Sequence, residues 1–110
     1  MNILEAAQRI MSDTHGLTLE SFAASRVVRQ VVERNLEVIG EAAKHLPEAT
    51  TAHMPGIDWR GYRGIRDVLI HGYFRVDATI LWKVVTEECP IMIVAIQRFL
   101  ESREGPAPTD

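Results

Sequence analysis

Between Ser25 and His45 the sequence carries a regular apolar stripe that only a helix with packing partners can bury. The residues of the stripe recur at intervals of three and four: Val28, Val31, Val32, Asn35, Val38, Ile39, Ala42 and Ala43. On an α-helix this spacing places them along one face, which must be covered for the helix to be stable in water. The small residues Gly40, Ala42 and Ala43 would allow a second helix to approach closely. The stripe therefore predicts a long helix at the centre of the fold.

The segment before this helix contains a second helical pattern and a short capped piece. Apolar residues are spaced as in a helix over residues 3–11, and Gly16 is of the type that commonly follows a helix end. Thr18 and Ser21 have side chains that can cap short helical starts. We therefore expect one helix at the N-terminus and a brief helical turn before the long helix.

Two more helices are predicted in the second half of the chain. Asp58 is a good N-cap for a helix that Gly72 should end, and Asp77 is a good N-cap for the last helix. The last helical pattern continues to Leu100 and contains Pro90. Proline lacks an N–H and clashes with the preceding turn, so the last helix should be kinked or split at this residue.

The signals for β-structure are weak, because no alternating runs are joined by Asn-Gly or Asp-Gly. The predicted fold is all-α: an up-and-down bundle of four main helices with short extra helices. With 110 residues the chain suits one domain. We expect that domain over residues 1–102 and a disordered tail over residues 103–110, since the prolines and small polar residues of "EGPAPTD" cannot build a core.

Charge and cysteine content narrow the class of protein. The net charge of −3 argues against broad, charge-driven binding of nucleic acid. Cys89 is the only cysteine, so an internal disulfide is excluded and a reducing cytoplasm is the expected setting. The N-terminus lacks the pattern of a signal peptide, and no apolar run reaches the roughly 20 residues needed to cross a bilayer, so no membrane partner is expected.

The apolar residues exceed what one buried face per helix requires. The valine-rich stripe and the stretch "CPIMIVAIQRFL" are both apolar over a wide arc. A symmetric homodimer would cover the excess, and we expect one.

Positive charge is concentrated between Asp58 and Arg75. This segment holds Arg60, Arg63, Arg66 and Arg75 against only two aspartates. A polyanion would bind here if it binds anywhere, with Arg63 and Arg75 as candidate phosphate ligands beside Arg66. From charge alone, the other interpretation is that these are ordinary surface arginines on a helix.

The stretch "RDVLIHGYF" combines Arg66, His71 and Tyr73. A guanidinium offers a planar fork of donors to two phosphate oxygens. An imidazole can accept and return a proton near neutral pH. Arg66 and His71 are separated by about 140° on a regular helix, so they do not share a face. Their convergence would need the helix end, the reach of arginine, or a second copy of the motif across a symmetric interface.

These residues resemble the R-x-x-x-x-H-x-Y signature of the HEPN superfamily, and specifically of HepT-like toxins. The blocks "RNLEVIGEAAKHLP", "IDWRGYRGIRDVLIHGYFRVD" and "ILWKVV" followed by "CP" resemble the family's blocks in the same order. The resemblance covers roughly residues 1–100. It identifies the predicted domain, residues 1–102, as HepT-like.

The resemblance implies a metal-independent endoribonuclease that acts as a homodimer and needs no cofactor. His71 would take the proton of a ribose 2′-OH, and Arg66 would hold the phosphate under attack. The products would be a 2′,3′-cyclic phosphate and a free 5′-OH. The residue after the family's arginine is polar and often Asn. Asp67 stands there, and its acid would support Arg66 or His71 while adding negative charge beside the RNA.

The resemblance also implies regulation in a toxin–antitoxin system. The tyrosine that matches Tyr73 is modified in HepT-like proteins by an MntA-type nucleotidyltransferase antitoxin. One or more AMP units, derived from ATP, would then occupy the place of the RNA phosphate and block Arg66 and His71. The alternative for Tyr73 is a structural residue that only lines the cleft.

Several alternatives remain open from the sequence. The chain could be a non-catalytic HEPN module that binds a nucleotidyltransferase or a nucleotide, or a plain dimeric scaffold. The histidines lack ligand spacing, so no metal site is expected. Glu33, Glu37 and Glu41 repeat as on a solvated helix face. In a less favoured interpretation, Glu41 or Arg34 supports the catalytic groups or a partner contact.

Overall fold

The computed structural model describes residues 2–72 and 76–104. Within them the chain forms seven α-helices and one π-helical turn, and no strand. The helices are α1 (Asn2–Thr14), α2 (Leu19–Ala24), α3 (Arg26–Lys44), α4 (Glu48–Thr51), α5 (Trp59–His71), α6 (Ala78–Lys83) and α7 (Cys89–Glu104), with the π turn at Val84–Glu88. The all-α prediction is confirmed. The short helix α4 was not predicted, and residues 105–110 of the predicted tail lie outside the described residues.

The caps predicted at Thr18 and Asp58 form helix ends, and Ser25 adds a cap that was not predicted. Thr18 and Ser21 make a reciprocal capping box at α2, and Ser25 accepts a hydrogen bond from the Val28 amide at the start of α3. At α5, the Asp58 side chain accepts from the Gly61 amide at 3.0 Å. Each of these bonds spans three residues, which is why such caps can be recognised in the sequence.

The last predicted helix is interrupted close to Pro90. A π turn replaces the regular helix over Val84–Glu88, and the Cys89 amide donates to the Val84 carbonyl five residues earlier. Pro90 has no N–H and cannot donate the hydrogen bond that a regular α-helix needs at this position. The widened turn just before it accommodates the proline, because hydrogen bonds there run to the fifth residue back instead of the fourth. Cys89 is fully buried beside it, as expected for a small apolar side chain.

The helix α3 lies at the centre of the packing. It packs against α1 and α5, and α1 also packs against α7. The side chains that fill the space between these helices are fully buried: Ile10, Val32, Leu36, Ile39, Met92 and Ile96. Each such apolar side chain contributes roughly 1.5–3 kcal/mol relative to an exposed one. The central helix therefore fixes the position of α5, which carries the candidate site residues.

Gly40 sets how closely α5 approaches α3. A Cβ atom added at Gly40 would lie 2.7 Å from the Tyr62 backbone carbonyl oxygen and would overlap the Cβ of Arg66. The absence of a side chain at Gly40 thus brings the backbone of α5 against α3 at Arg66. This confirms the close approach predicted from the small residues of the stripe.

No helix of residues 2–72 and 76–104 is both long enough and apolar enough to span a membrane.

Candidate functional site

Arg66 points from α5 toward α3 and meets two carboxylates. One Nη atom lies 2.6 Å from Glu41 Oε2, and the other donates to Asp67 Oδ1 at 2.9 Å. The Arg66 side chain is 18% exposed, whereas those of Glu41 and Asp67 are about half exposed. The guanidinium is therefore held on the surface of the α3–α5 groove with its two Nη groups both engaged.

The three charged groups shift one another's pKa values. The hydrogen bond to Asp67 raises the pKa of Arg66, and the same bond lowers the pKa of Asp67. The pKa of Glu41 is lowered chiefly by its hydrogen bond to His45, with a smaller contribution from the charge of Arg66. All three groups thus remain charged at neutral pH, and two negative charges surround one positive charge.

A surface cleft of about 400 Å³ opens at this ion-pair cluster. It is lined by Arg34, Glu37, Val38, Glu41, Ala42, Arg66 and Ile70. The buried Nε of Arg66 has no hydrogen-bond partner among the described residues. The cleft therefore has room for an acceptor group beside a guanidinium that is not fully satisfied.

His71 is the last residue of α5, and its side chain is exposed. Its Nδ1 lies 2.7 Å from the backbone carbonyl oxygen of Asp67. A carbonyl oxygen can only accept, so Nδ1 must carry the proton of this bond. In the neutral ring Nε2 is then the basic nitrogen, which is the arrangement that a general base requires.

Asp67 contacts both candidate catalytic residues, but the two do not share a face. Its carboxylate binds Arg66 and its carbonyl accepts from His71. The helix α5 is unbroken from Arg66 to His71, so the two side chains leave it about 140° apart. The structure of one chain thus agrees with the sequence prediction that the two residues diverge.

The remaining predicted site residues are only partly described. Arg63 is half-buried on α5, one turn before Arg66 and Asp67. Gly72 ends α5 in the left-handed conformation, with φ of 66°. Tyr73 and Arg75, predicted as the modified residue and a phosphate ligand, lie outside the described residues. In the part of the chain that is described, no three His, Cys, Asp or Glu side chains are grouped so that they could hold a metal ion.

Glu41 is the residue whose role was underestimated from the sequence. The favoured interpretation placed Glu33, Glu37 and Glu41 on a solvated helix face, but Glu41 forms the shortest contact of Arg66. Glu41 follows Gly40, the residue that admits α5. A glycine followed directly by a carboxylate was the available signal for this contact.

A second, apolar cleft lies on another side of α5. It has a volume of about 520 Å³ and is lined by Gly61, Gly64, Ile65, Val68, Val76, Asp77 and Ile80. Val68 and Ile80 are 37% and 53% exposed. These residues leave an apolar surface close to the end of α5.

Comparison with known proteins gives a consistent result. A family model described as "Ribonuclease HepT-like" matches residues 3–99. A Thermococcus cleftensis protein named "Probable ribonuclease HepT" is 40% identical over 81% of this chain and 81% of its own length. A Methanocaldococcus jannaschii protein named "Putative RNase" is 36% identical over 94% of this chain and 86% of its own. A Caldanaerobacter subterraneus protein of the same name is 30% identical over 94% of this chain and 92% of its own. No solved structure matches the chain significantly.

Proposed function

Because the chain belongs to the HepT-like ribonuclease family, we propose that it is a metal-independent endoribonuclease with Arg66 and His71 as catalytic residues. The observation that carries the proposal is the pair of contacts made by Asp67. One contact holds the guanidinium, and the other fixes the proton on Nδ1 of the imidazole. A held cation and an oriented base are the two groups that cleavage of RNA without a metal needs.

In this proposal His71 Nε2 removes the proton of a ribose 2′-OH. The 2′-oxygen attacks the adjacent phosphorus, and the bond from phosphorus to the 5′-oxygen breaks. The proton gained by His71 is returned to the leaving 5′-oxygen, which becomes the 5′-OH of one product. The other product ends in a 2′,3′-cyclic phosphate. Arg66 stabilises the negative charge that grows on the phosphate oxygens, and Arg63 and Arg75 bind neighbouring phosphates.

The active form in this proposal is a homodimer. Arg66 and His71 diverge by about 140° on α5, and Glu41 holds Arg66 toward α3, so in this proposal a second chain brings its imidazole to the phosphate that Arg66 binds. The apolar cleft around Val68 and Ile80 provides surface for that contact. Val68 lies three residues before His71 on α5, so an interface there would bring the His71 end of α5 close to the partner chain.

We further propose that the enzyme is the toxin of a cytoplasmic toxin–antitoxin system. A nucleotidyltransferase antitoxin would transfer AMP from ATP to the Tyr73 hydroxyl, with release of pyrophosphate. Tyr73 follows His71 by two residues, so the added phosphate would compete with the RNA phosphate for Arg66. The intact mass of the protein produced with and without the nucleotidyltransferase measures this step. An unchanged mass with an active transferase, or a modification retained in Tyr73→Phe, would remove the regulatory part of the proposal.

The catalytic proposal is tested with purified protein, a short RNA and a metal chelator. We expect cleavage by the wild type in the presence of the chelator, with 2′,3′-cyclic phosphate and 5′-OH ends. Loss of the base in His71→Ala should reduce the rate by about 10²–10⁴-fold. Arg66→Lys keeps the charge but loses the planar fork, and should also be strongly impaired. Arg98→Ala, on the exposed face of α7, serves as the control. Equal rates for wild type and His71→Ala would exclude the mechanism.

One observation favours a second candidate function, a non-catalytic module that binds a nucleotidyltransferase or a nucleotide. Both Nη groups of Arg66 are already occupied by carboxylates, which a phosphate would have to displace. Stable co-purification with a nucleotidyltransferase, together with unchanged RNA, would select this function over the ribonuclease.

A further inference from the structure

A cleft with a volume of about 440 Å³ lies where the start of α3 meets the end of α5. Four of its residues come from the first turns of α3 and three from the end of α5 and the segment beyond: Arg26, Arg29, Gln30, Glu33, Leu69, Gly72 and Val76. We call it the α3 arginine cleft. It differs from the cleft at Arg66, which uses a later part of α3 and the Ile70 side of α5.

The sequence places the polar residues of this cleft on one face of α3. Positions 26, 29, 30 and 33 are spaced by three and four residues, so their side chains align over two turns. Such a stripe of polar groups on a packed helix normally faces water. Here it faces a concave wall that includes Leu69 and Val76, both half-buried.

The guanidinium of Arg29 is only partly satisfied by the protein. Its Nε is buried and has no hydrogen-bond partner within residues 2–72 and 76–104. Over the same residues, no carboxylate lies within salt-bridge distance of Arg26 or Arg29, although Glu33 lines the cleft. Because both arginines line the cleft without a carboxylate partner, an anion that enters it would meet two unpaired guanidinium groups.

The electrostatics of the cleft favour an anion. Two arginines stand against one glutamate, in a protein whose net charge is −3. The cleft also lies at the N-terminal end of α3, where the helix dipole is positive. Ser25 accepts from the Val28 amide there, and the other amides of the first turn still point toward the same end.

We propose that the α3 arginine cleft binds a phosphate of the RNA chain on one side of the cleaved linkage. This inference rests on the proposed ribonuclease function and adds a substrate subsite to it. Gly72 lines the cleft and directly follows His71, the proposed base, so a strand that places its 2′-OH at His71 continues toward Arg29 and Arg26. The Gln30 amide can both donate to and accept from ribose or base, and Leu69 gives an apolar wall for the sugar.

The test measures binding of a short RNA in which every 2′-OH is methylated, so that no cleavage occurs. Arg26→Gln, Arg29→Gln and the double variant are compared with wild type, and Arg98→Gln is the matched arginine control. We expect about tenfold weaker binding for each single variant. The slope of log affinity against log salt should fall by about 0.7 for each phosphate of a single-stranded RNA that an arginine no longer neutralises. With cleavable RNA, KM should rise while kcat and the product ends stay the same, because the subsite binds a phosphate other than the one under attack.

The outcomes separate this inference from the proposed function. Wild-type affinity in both Arg26→Gln and Arg29→Gln overturns the subsite while cleavage by wild type stands. Arginine-dependent binding without cleavage supports the subsite and removes the ribonuclease. If Arg29→Gln fails to fold, the test relies on Arg26→Gln, because Arg26 is exposed and its replacement should not disturb folding. RNA affinity and a salt slope equal to those of the wild type in Arg26→Gln would then overturn the subsite. If AMP alone displaces the RNA at low concentration and needs the same arginines, the cleft holds a mononucleotide and the RNA assignment is wrong.

Discussion

Asp67 contacts Arg66 through its side chain and His71 through its backbone carbonyl, and the two contacts have different origins. The carbonyl contact is a property of the helix end and would be made by any residue at this position. The carboxylate contact depends on the side chain, and it adds negative charge next to the proposed phosphate site. Glu41 adds a second negative charge on the other side of the guanidinium. The net charge around the Arg66 guanidinium therefore depends on the carboxylates of Asp67 and Glu41.

Replacement of Glu41 by Gln should change how Arg66 binds RNA. The amide can still accept a hydrogen bond from the guanidinium, but it no longer competes with phosphate for the positive charge. We expect KM for RNA to fall about threefold, the size of effect typical for a partly exposed ion pair. Glu101→Gln, on the exposed surface of α7, is the control. A KM for Glu41→Gln at or above that of the wild type would contradict this competition.

The Asp67 carboxylate should make stability depend on pH in a defined direction. Its pKa is lowered in the folded protein by Arg66, so the unfolded chain binds a proton at higher pH than the folded one. The stabilisation is therefore complete above the ordinary aspartate pKa of about 3.9 and is lost as the pH falls through the lowered folded value. Asp67→Asn should melt at a slightly lower temperature than the wild type at pH 7, and the difference should vanish in acid. A difference that grows in acid would contradict this linkage.

At the scale of helices, the contact of α3 with α5 depends on Gly40 of α3. Helix α5 carries another glycine, Gly64, that makes no such close contact. Ala at Gly40 would overlap Arg66 and the Tyr62 carbonyl, whereas a Cβ at Gly64 meets nothing within 4 Å. We expect Gly40→Ala to lose about 1–3 kcal/mol of unfolding free energy from overpacking. Gly64→Ala should gain about 0.5–1 kcal/mol from lower backbone entropy of the unfolded chain. Chemical denaturation measures both.

Because the Gly40 contact also positions Arg66, the two glycine variants should differ in activity. Gly40→Ala pushes α5 outward at Arg66 and should weaken RNA cleavage at temperatures where the variant is still folded. Full activity in a destabilised Gly40→Ala would show that the helix contact supports the fold without positioning the guanidinium.

At the scale of the whole molecule, the proposed dimer can be separated from the fold. Val68→Glu puts a charge into the apolar cleft near the end of α5, and Val27→Glu puts the same charge on an exposed site at the start of α3. We expect the wild type and Val27→Glu to be dimers by light scattering, and Val68→Glu to be a folded monomer without ribonuclease activity. An active monomer would show that one chain is sufficient, and dimers in all three would place the interface elsewhere.

Helix class and helix ends were determined by the sequence, because they depend on neighbours within a few residues. Thr18, Ser25, Asp58 and Asp77 cap through bonds that span two or three positions, and Gly72 ends α5 because glycine adopts positive φ readily. The family was also recognisable from residues close together in the chain. The roles of Tyr73 and Arg75 stay predictions.

Only the tertiary structure decided the surroundings of Arg66. Glu41 is far from Arg66 in the sequence, and on its own helix it has the spacing of a solvated residue. It reaches the guanidinium because Gly40 lets α5 lie against α3, and the unsatisfied Nε of Arg29 is likewise defined by what surrounds it. The spacing of apolar residues in the sequence indicates which face of a helix is buried. The identity of the groups that meet across that face depends on the distance and orientation of two helices, which packing alone sets.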